Sequence, residues 1–298
     1  MELISKSIFT MKSISRTILS LLSSLMILSF AATAAEPIVI QLWPDGAPTD
    51  NGLDPANEHY KGASLYAIAN AELWLFPAKK PNGTAIVCAP GGGYAMAATA
   101  HEGKDWADWM NAQGITFAVL KYRMPNGHDN VPLEDGRRAM QIMKEKASEY
   151  GFNPEKIGIM GSSAGGHFAA MLATMYGESQ YRPAFQILLY PVITMDESTH
   201  AGTKRNLLGE SPTPQMADKY SLEKQVTADT PPAFIILAAD DKTVPAINSL
   251  RYAESLQAAG IPYSLHVYPD GGHGFGFRDT FRFKPEWTAD LSHWLRER

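Results

Sequence analysis

A chain of 298 residues, 45% hydrophobic and 10% aromatic, can bury a sizeable core in one large domain. A formal charge of −5 argues against nucleic acid or an anionic membrane surface as partner, since either would call for an excess of Lys and Arg. The only cysteine, Cys88, excludes an internal disulfide, so stability must come from packing.

Residues 1–35 stand apart. Lys6, Lys12 and Arg16 precede an apolar run from Ile18 to Ala32, and Ala32-Thr33-Ala34 and Thr33-Ala34-Ala35 offer small-residue cleavage sites. This pattern predicts a signal peptide, with Met11 as an alternative start, and hence a secreted or periplasmic protein. The apolar run of 15 is short for a membrane span, so no membrane association is expected once the leader is removed. Its removal would move the formal charge to −7, with 23 Lys and Arg against 30 Asp and Glu.

From residue 36 onward the pattern predicts one domain. Ile38 to Trp43 reads as an edge strand, Pro44 to Ala56 as a Pro- and Gly-rich loop, and Ala71 to Phe76 as a second antiparallel strand. Thr84 to Cys88 is a continuous apolar run, as expected of a strand covered on both faces, and it makes Cys88 a small buried hydrophobe. Lys104 to Gln113 sets Trp106, Trp109 and Met110 on one helical face and stops at Gly114. The strand Thr116 to Leu120, the helix Leu133 to Tyr150 and the strand Ile157 to Met160 follow. Phe185 to Leu189, Phe234 to Leu237 and Tyr263 to Val267 are further strands, and Ala246 to Ala259 and Pro285 to Leu295 further helices. Strand and helix in turn imply a mainly parallel, doubly wound α/β sheet with helices on both faces. Only residues 191–232 lack a clear strand, and they are expected to form a small helical insertion over the site.

Gly161-Ser162-Ser163-Ala164-Gly165 fits G-x-S-x-G, in which a strand turns sharply into a helix and the central serine projects its Oγ. Ser163 is therefore the candidate nucleophile. A serine hydroxyl needs a base, itself oriented by a carboxylate, and in a doubly wound sheet these belong on loops after later strands. The Phe234 strand runs into Asp240-Asp241-Lys242-Thr243-Val244-Pro245, and the Tyr263 strand into Gly271-Gly272-His273-Gly274. Asp241 lies 78 residues after Ser163, and His273 follows Asp241 by 32. Asp241 is favoured as the acid because it opens an Asp-x-x-Val-Pro pattern leading into a helix. Asp240, as a cap or loop support, is the alternative, and Asp270 a third. Pro90-Gly91-Gly92-Gly93-Tyr94 follows an earlier strand; the N–H groups of Gly92, Gly93 and Ala164 are the expected oxyanion donors, and Tyr94 an expected substrate contact. The nucleotide-binding spacing G-x-G-x-x-G is absent, and the eight histidines show no metal-binding spacing, His101-Glu102 lacking a second histidine. No metal or cofactor is implied. His167, Tyr122 and Arg123 read as scaffold.

Together, Pro90 to Tyr94, Gly161 to Gly166, Asp241 to Pro245 and Gly271 to Gly276 resemble the α/β-hydrolase superfamily, as does the order Ser, Asp, His along the chain. More narrowly they resemble its secreted carbohydrate-esterase branch, which includes acetyl xylan and feruloyl esterases. Leu42 to Pro48 and Thr230 to Phe234 extend the likeness over essentially the whole mature chain. The sequence departs from the His-Gly-Gly-Gly form of related esterases by placing Pro90 where the histidine would stand. The resemblance implies a serine carboxylesterase that removes acetyl or feruloyl groups from xylan-type polysaccharides, with an acylated saccharide as its partner. An exopeptidase or a lipase on the same scaffold, or a non-catalytic binding module, are the alternatives.

Overall fold

The computed structural model describes residues 36–298, so the expected leader lies outside the described residues. The chain enters through β1 (Ile38–Gln41), makes two short strands, β2 (His59–Lys61) and β3 (Ser64–Tyr66), and returns through β4 (Glu72–Phe76). β5 (Ala85–Ala89), β6 (Met96–Ala97), β7 (Thr116–Lys121) and β8 (Ile157–Ser162) follow, then β9 (Gln186–Leu189), β10 (Ala233–Ala238) and β11 (Tyr263–Tyr268). Eight of these strands form one sheet in the order β1-β4-β7-β5-β8-β9-β10-β11. The β1–β4 and β4–β7 pairings are antiparallel and all the others parallel.

The continuous apolar runs are what this topology demands. β5, β7, β8, β9 and β10 are buried at every position because helices cover both faces of a parallel sheet. β11, at the far edge, is only half-buried. β2, β3 and β6 pair antiparallel in a separate three-stranded sheet that the sequence reading does not anticipate. Their segments are short and, in β2, wholly exposed, so they carry no apolar alternation to read.

The helices are α1 (Ala107–Ala112), α2 (Val131–Tyr150), α3 (Ala164–Met175), α4 (Ala201–Leu208), α5 (Pro214–Lys219), α6 (Ile247–Ala258) and α7 (Lys284–Leu295). The helix expected from Lys104 begins as a tighter 3₁₀ turn over Lys104–Trp106 before α1. Its apolar face anchors the C-terminal region, with the Trp106 ring 4.4 Å from Phe277 and 5.2 Å from Trp287. α2 stops at Gly151, whose φ of 72° turns the chain left-handed and returns its N–H to Ala147 O. Residues 191–232 hold α4, α5 and a short turn, Leu222–Lys224.

Arg123, just past β7, meets Asp135 in the first part of α2 through Nε and Nη2 at 2.9 and 2.7 Å, and both side chains are buried. Trp43 Nε1 donates to the same carboxylate at 2.7 Å, which ties the Leu42-Trp43-Pro44 segment to α2. Both partners of this charged pair are enclosed, so loss of either would leave an uncompensated buried charge.

Candidate active site

Strand order sets the geometry. β5 and β8 lie side by side in parallel, with Ala89 opposite Gly161, so the glycine loop after one strand abuts the serine turn after the other. β10 and β11 are likewise parallel neighbours, with Ala238 opposite Tyr268, and their carboxyl ends carry the loops of Asp241 and His273.

Ser163 occupies the turn between β8 and α3 with φ 54° and ψ −120°, a left-handed conformation that costs a non-glycine residue about 1–3 kcal/mol. Close approach explains the flanking glycines. A Cβ on Gly161 would lie 1.9 Å from Gly165 O, and one on Gly165 would lie 2.0 Å from Ala89 O. The strained turn lifts Oγ to the end of α3, where the first N–H groups of the helix have no intrahelical acceptor.

His273 Nε2 lies 2.8 Å from Ser163 Oγ, and its Nδ1 lies 2.6 Å from Asp241 Oδ2. The carboxylate fixes the tautomer: Nδ1–H donates to Asp241, which leaves Nε2 free to accept the serine proton. The second oxygen of Asp241 accepts the backbone N–H groups of Thr243 and Val244, both at 2.9 Å, and its side chain is fully enclosed. Asp240 is exposed and instead accepts Gly272 N–H at 2.8 Å, bracing the loop that carries His273. Asp270 faces outward, paired with Arg282.

Gly92 and Gly93 line a cleft of about 630 Å³ together with Ser163, His273, His200 and Asn206. Neither Gly92 N–H nor Gly93 N–H has an acceptor among the described residues, and Ala164 supplies the first N–H of α3. Three donors thus stand near the serine with no competing partner. A separate cavity of about 560 Å³ beside Trp43 and Arg138 contains none of these groups.

With Pro90 in place of a histidine, the glycine loop is held by other groups. Tyr122 OH donates to Pro90 O at 2.7 Å, Gly91 N–H donates to Glu102 Oε2 at 2.8 Å, and Asn206 Nδ2 on α4 donates to Gly93 O at 2.8 Å. Glu102 and Asn206 are absent from the sequence-derived site. Both lie outside any motif, and only the folded chain brings them to the loop. His200, also unanticipated, accepts Thr203 N–H on Nδ1, so its ring proton sits on Nε2; burial holds its pKa below the ordinary histidine value, keeping it neutral in the cleft.

Tyr94 is a correction. Expected as a substrate contact, it has φ 58° and is 1% exposed, its hydroxyl donating to His167 Nδ1 at 3.0 Å. The left-handed turn directs the ring into the core, away from the cleft. His167 in turn donates from Nε2 to Tyr220 O at 2.9 Å, and burial lowers its pKa to about 4. Cys88 is wholly buried, its thiol donating to Glu102 O at 3.3 Å, and burial raises its pKa well above the ordinary thiol value.

Residues 86–277 match the model of an α/β-hydrolase-fold family. Among curated proteins, the chain is 41% identical over 231 residues to an acetylxylan esterase of Xylanibacter ruminicola, an alignment covering 76% of this chain and 48% of that protein. It is 39% identical over 232 residues to endo-1,4-beta-xylanase B of Butyrivibrio fibrisolvens, covering 73% of this chain and 36% of that one. The chain thus spans about half or less of the length of these curated relatives. Among solved structures, the acetyl ester-xyloside bifunctional hydrolase of Caldicellulosiruptor lactoaceticus superposes with a TM-score of 0.76 at 32% identity, covering 90% of this chain and 98% of that one. With its mainly parallel sheet, its serine turn between β8 and α3, and a family match over most of the described residues, the chain belongs to the α/β-hydrolase fold family.

Proposed function

We propose that the chain is a serine carboxylic-ester hydrolase that removes acetyl groups from xylan-type saccharides. The observation that carries the reading is the unbroken hydrogen-bonded line Asp241–His273–Ser163 on the wall of the cleft. The acetylxylan esterase and the acetyl ester-xyloside hydrolase among the similar proteins support the choice of acyl group and sugar.

In this reading His273 Nε2 takes the proton of Ser163 Oγ as that oxygen attacks the ester carbonyl. The carbonyl oxygen becomes negative and is met by the N–H groups of Gly92, Gly93 and Ala164, donors already in place before charge develops. Asp241 stabilises the imidazolium without taking its proton. The imidazolium then protonates the departing sugar hydroxyl, leaving an acetyl ester on Ser163. Water, deprotonated by His273, attacks this ester, and acetate leaves as the serine regains its proton. Feruloyl esters are a further substrate class for the same cleft. No helix among the described residues is long and apolar enough to cross a membrane, and the leader reading of residues 1–35 supports export to the periplasm or the medium.

Ser163→Ala removes the attacking oxygen and is expected to abolish acetate release from acetylated xylo-oligosaccharides with an unchanged circular dichroism spectrum. Retained turnover in that variant would refute the assignment. The wild-type chain, given acetylated and feruloylated xylo-oligosaccharides with both acids measured, decides the acyl preference.

A further inference from the structure

Glu102 lies outside every motif, yet its carboxylate is 3% exposed and sits between the two loops that flank the nucleophile. One oxygen, Oε2, accepts Gly91 N–H at 2.8 Å; the other, Oε1, accepts the Tyr190 hydroxyl at 2.6 Å. Tyr190 is itself unusual. It directly follows β9 with φ 36°, is 1% exposed, and its hydroxyl oxygen accepts Gly276 N–H at 2.8 Å. Its ring packs edge-on against the His273 imidazole, with centroids 4.8 Å apart. A continuous chain of hydrogen bonds, Gly91–Glu102–Tyr190–Gly276, therefore joins the glycine loop to the histidine loop underneath the catalytic groups.

The fit around Gly91 is tight. A Cβ there would lie 2.5 Å from Glu102 Oε2 and 2.9 Å from Ser163 Cβ, so the carboxylate, the glycine loop and the nucleophile share one contact. Both partners of Glu102 are donors, an arrangement that satisfies the ionised carboxylate. Burial is the largest influence and raises the carboxyl pKa above the ordinary carboxylate value, while the Tyr190 hydroxyl, His273, Gly91 N–H and Arg278 act in the opposite direction and favour the ionised form.

Resting on the esterase reading above, we infer that Glu102 is a positioning residue: with Tyr190 it locks the glycine loop to the histidine loop, and its negative charge favours the imidazolium that His273 becomes during proton transfer. The other charged or titratable groups around His273 are Asp241 on its Nδ1, His200 from α4 across the cleft, the Tyr190 hydroxyl, and Arg278, Asp270 and Arg282, which line adjoining cavities with it. Around Glu102 stand His101, 3.9 Å from Oε1, and Arg278, whose Nη2 is 3.1 Å from His101 Nε2. Burial and Arg278 lower the pKa of His101 to about 4, so it stays neutral at working pH. Asp241 reaches the imidazole by a direct bond to Nδ1, and Glu102 reaches it through Tyr190, whose hydroxyl it holds and whose ring packs on the imidazole.

Glutamine at this position keeps the size but loses the charge, and its amide N–H₂ opposes either Gly91 N–H or the Tyr190 proton. The test compares Glu102→Gln, Tyr190→Phe and wild type in hydrolysis of a nitrophenyl acetate, with rates normalised to active sites counted by fluorophosphonate labelling. Glu102→Gln is expected to lower kcat about tenfold or more, to change KM less than twofold, and to move the acid limb of the kcat/KM profile to lower pH. The sign follows from the charge: removing an anion makes the imidazolium harder to form, so His273 stays neutral further into acid. Tyr190→Phe, which keeps the carboxylate, is expected to lower kcat at least fivefold without moving that limb to lower pH. A kcat within twofold of wild type in Glu102→Gln, or an unmoved acid limb, overturns the inference. Should Glu102→Gln fail to fold, Tyr190→Phe decides, and a kcat within twofold of wild type there overturns it. A wild-type chain that leaves the ester intact refutes the esterase reading instead, so the two failures are distinguishable.

Discussion

The two adjacent aspartates after β10 differ by everything that matters to a catalytic acid. Asp241 is enclosed, with both oxygens engaged, one by two backbone N–H groups and the other by His273; Asp240 is exposed and holds only Gly272 N–H. Asn at 241 must turn an N–H₂ group toward one of these donors, either reversing the histidine tautomer or loosening the loop. Asp241→Asn is therefore expected to reduce kcat by about 10⁴-fold, the scale seen when a triad carboxylate becomes an amide. Asp240→Asn retains an acceptor oxygen for Gly272 and is expected to leave kcat near wild type. Steady-state assays of both variants check the choice, and a larger loss at Asp240 would reverse it. The same residue-scale logic explains why Tyr94 is misread from sequence. An aromatic beside a glycine loop suggests a substrate contact, but its backbone turn sends the ring inward to His167, and no spacing rule encodes that direction.

At the scale of elements, α4 holds part of the site in place. Asn206 donates from its side chain to Gly93 O and accepts Gly127 N–H on its backbone oxygen, both at 2.8 Å, so the insertion clamps the glycine loop against the turn after β7. Asn206→Ala frees Gly93 while leaving the proposed triad untouched. It is expected to lower kcat by roughly ten- to a hundredfold with little change in KM, since a small displacement of the proposed oxyanion donors costs more in the transition state than in binding. A KM increase with unchanged kcat would instead assign Asn206 to substrate binding. The elements themselves are largely legible in the sequence. β5, β7, β8, β9 and β10 are continuous apolar runs because both faces are covered, and α2 is bounded by Gly151. β2, β3 and β6 escape notice because β2 is wholly exposed and β3 and β6 bury one residue each, too few to impose a pattern.

For the whole molecule, His167 links three regions: α3, through its own backbone; the glycine loop, through Tyr94; and the segment beyond α5, through Tyr220 O. Its folded pKa of about 4 lies below the ordinary value of 6.5, because burial penalises the charged ring. The unfolded chain therefore binds a proton that the folded chain refuses. Its contribution to stability is complete above pH 6.5 and is lost as pH falls toward about 4, at about 1.4 kcal/mol per pH unit from this residue. Urea midpoints measured across that window should fall with acid in the wild type and fall less steeply in His167→Gln. Equal slopes would remove His167 from the account.

The sequence alone determined the alternation of strand and helix, the identity of the serine turn, and the order in which serine, acid and histidine follow their strands. These are local properties: a continuous apolar run specifies a doubly covered strand, and a turn too tight for a Cβ specifies glycine. Only the tertiary structure decided which aspartate faces His273, what holds a glycine loop that lacks the usual histidine, and which way Tyr94 points. Each of those depends on groups that meet only in the folded chain: His273 for the aspartate, Glu102 and Asn206 for the glycine loop, and His167 for Tyr94. Chain-local patterns report what an element must bury, whereas a site assembled from five loops is defined by directions and distances that no single segment contains.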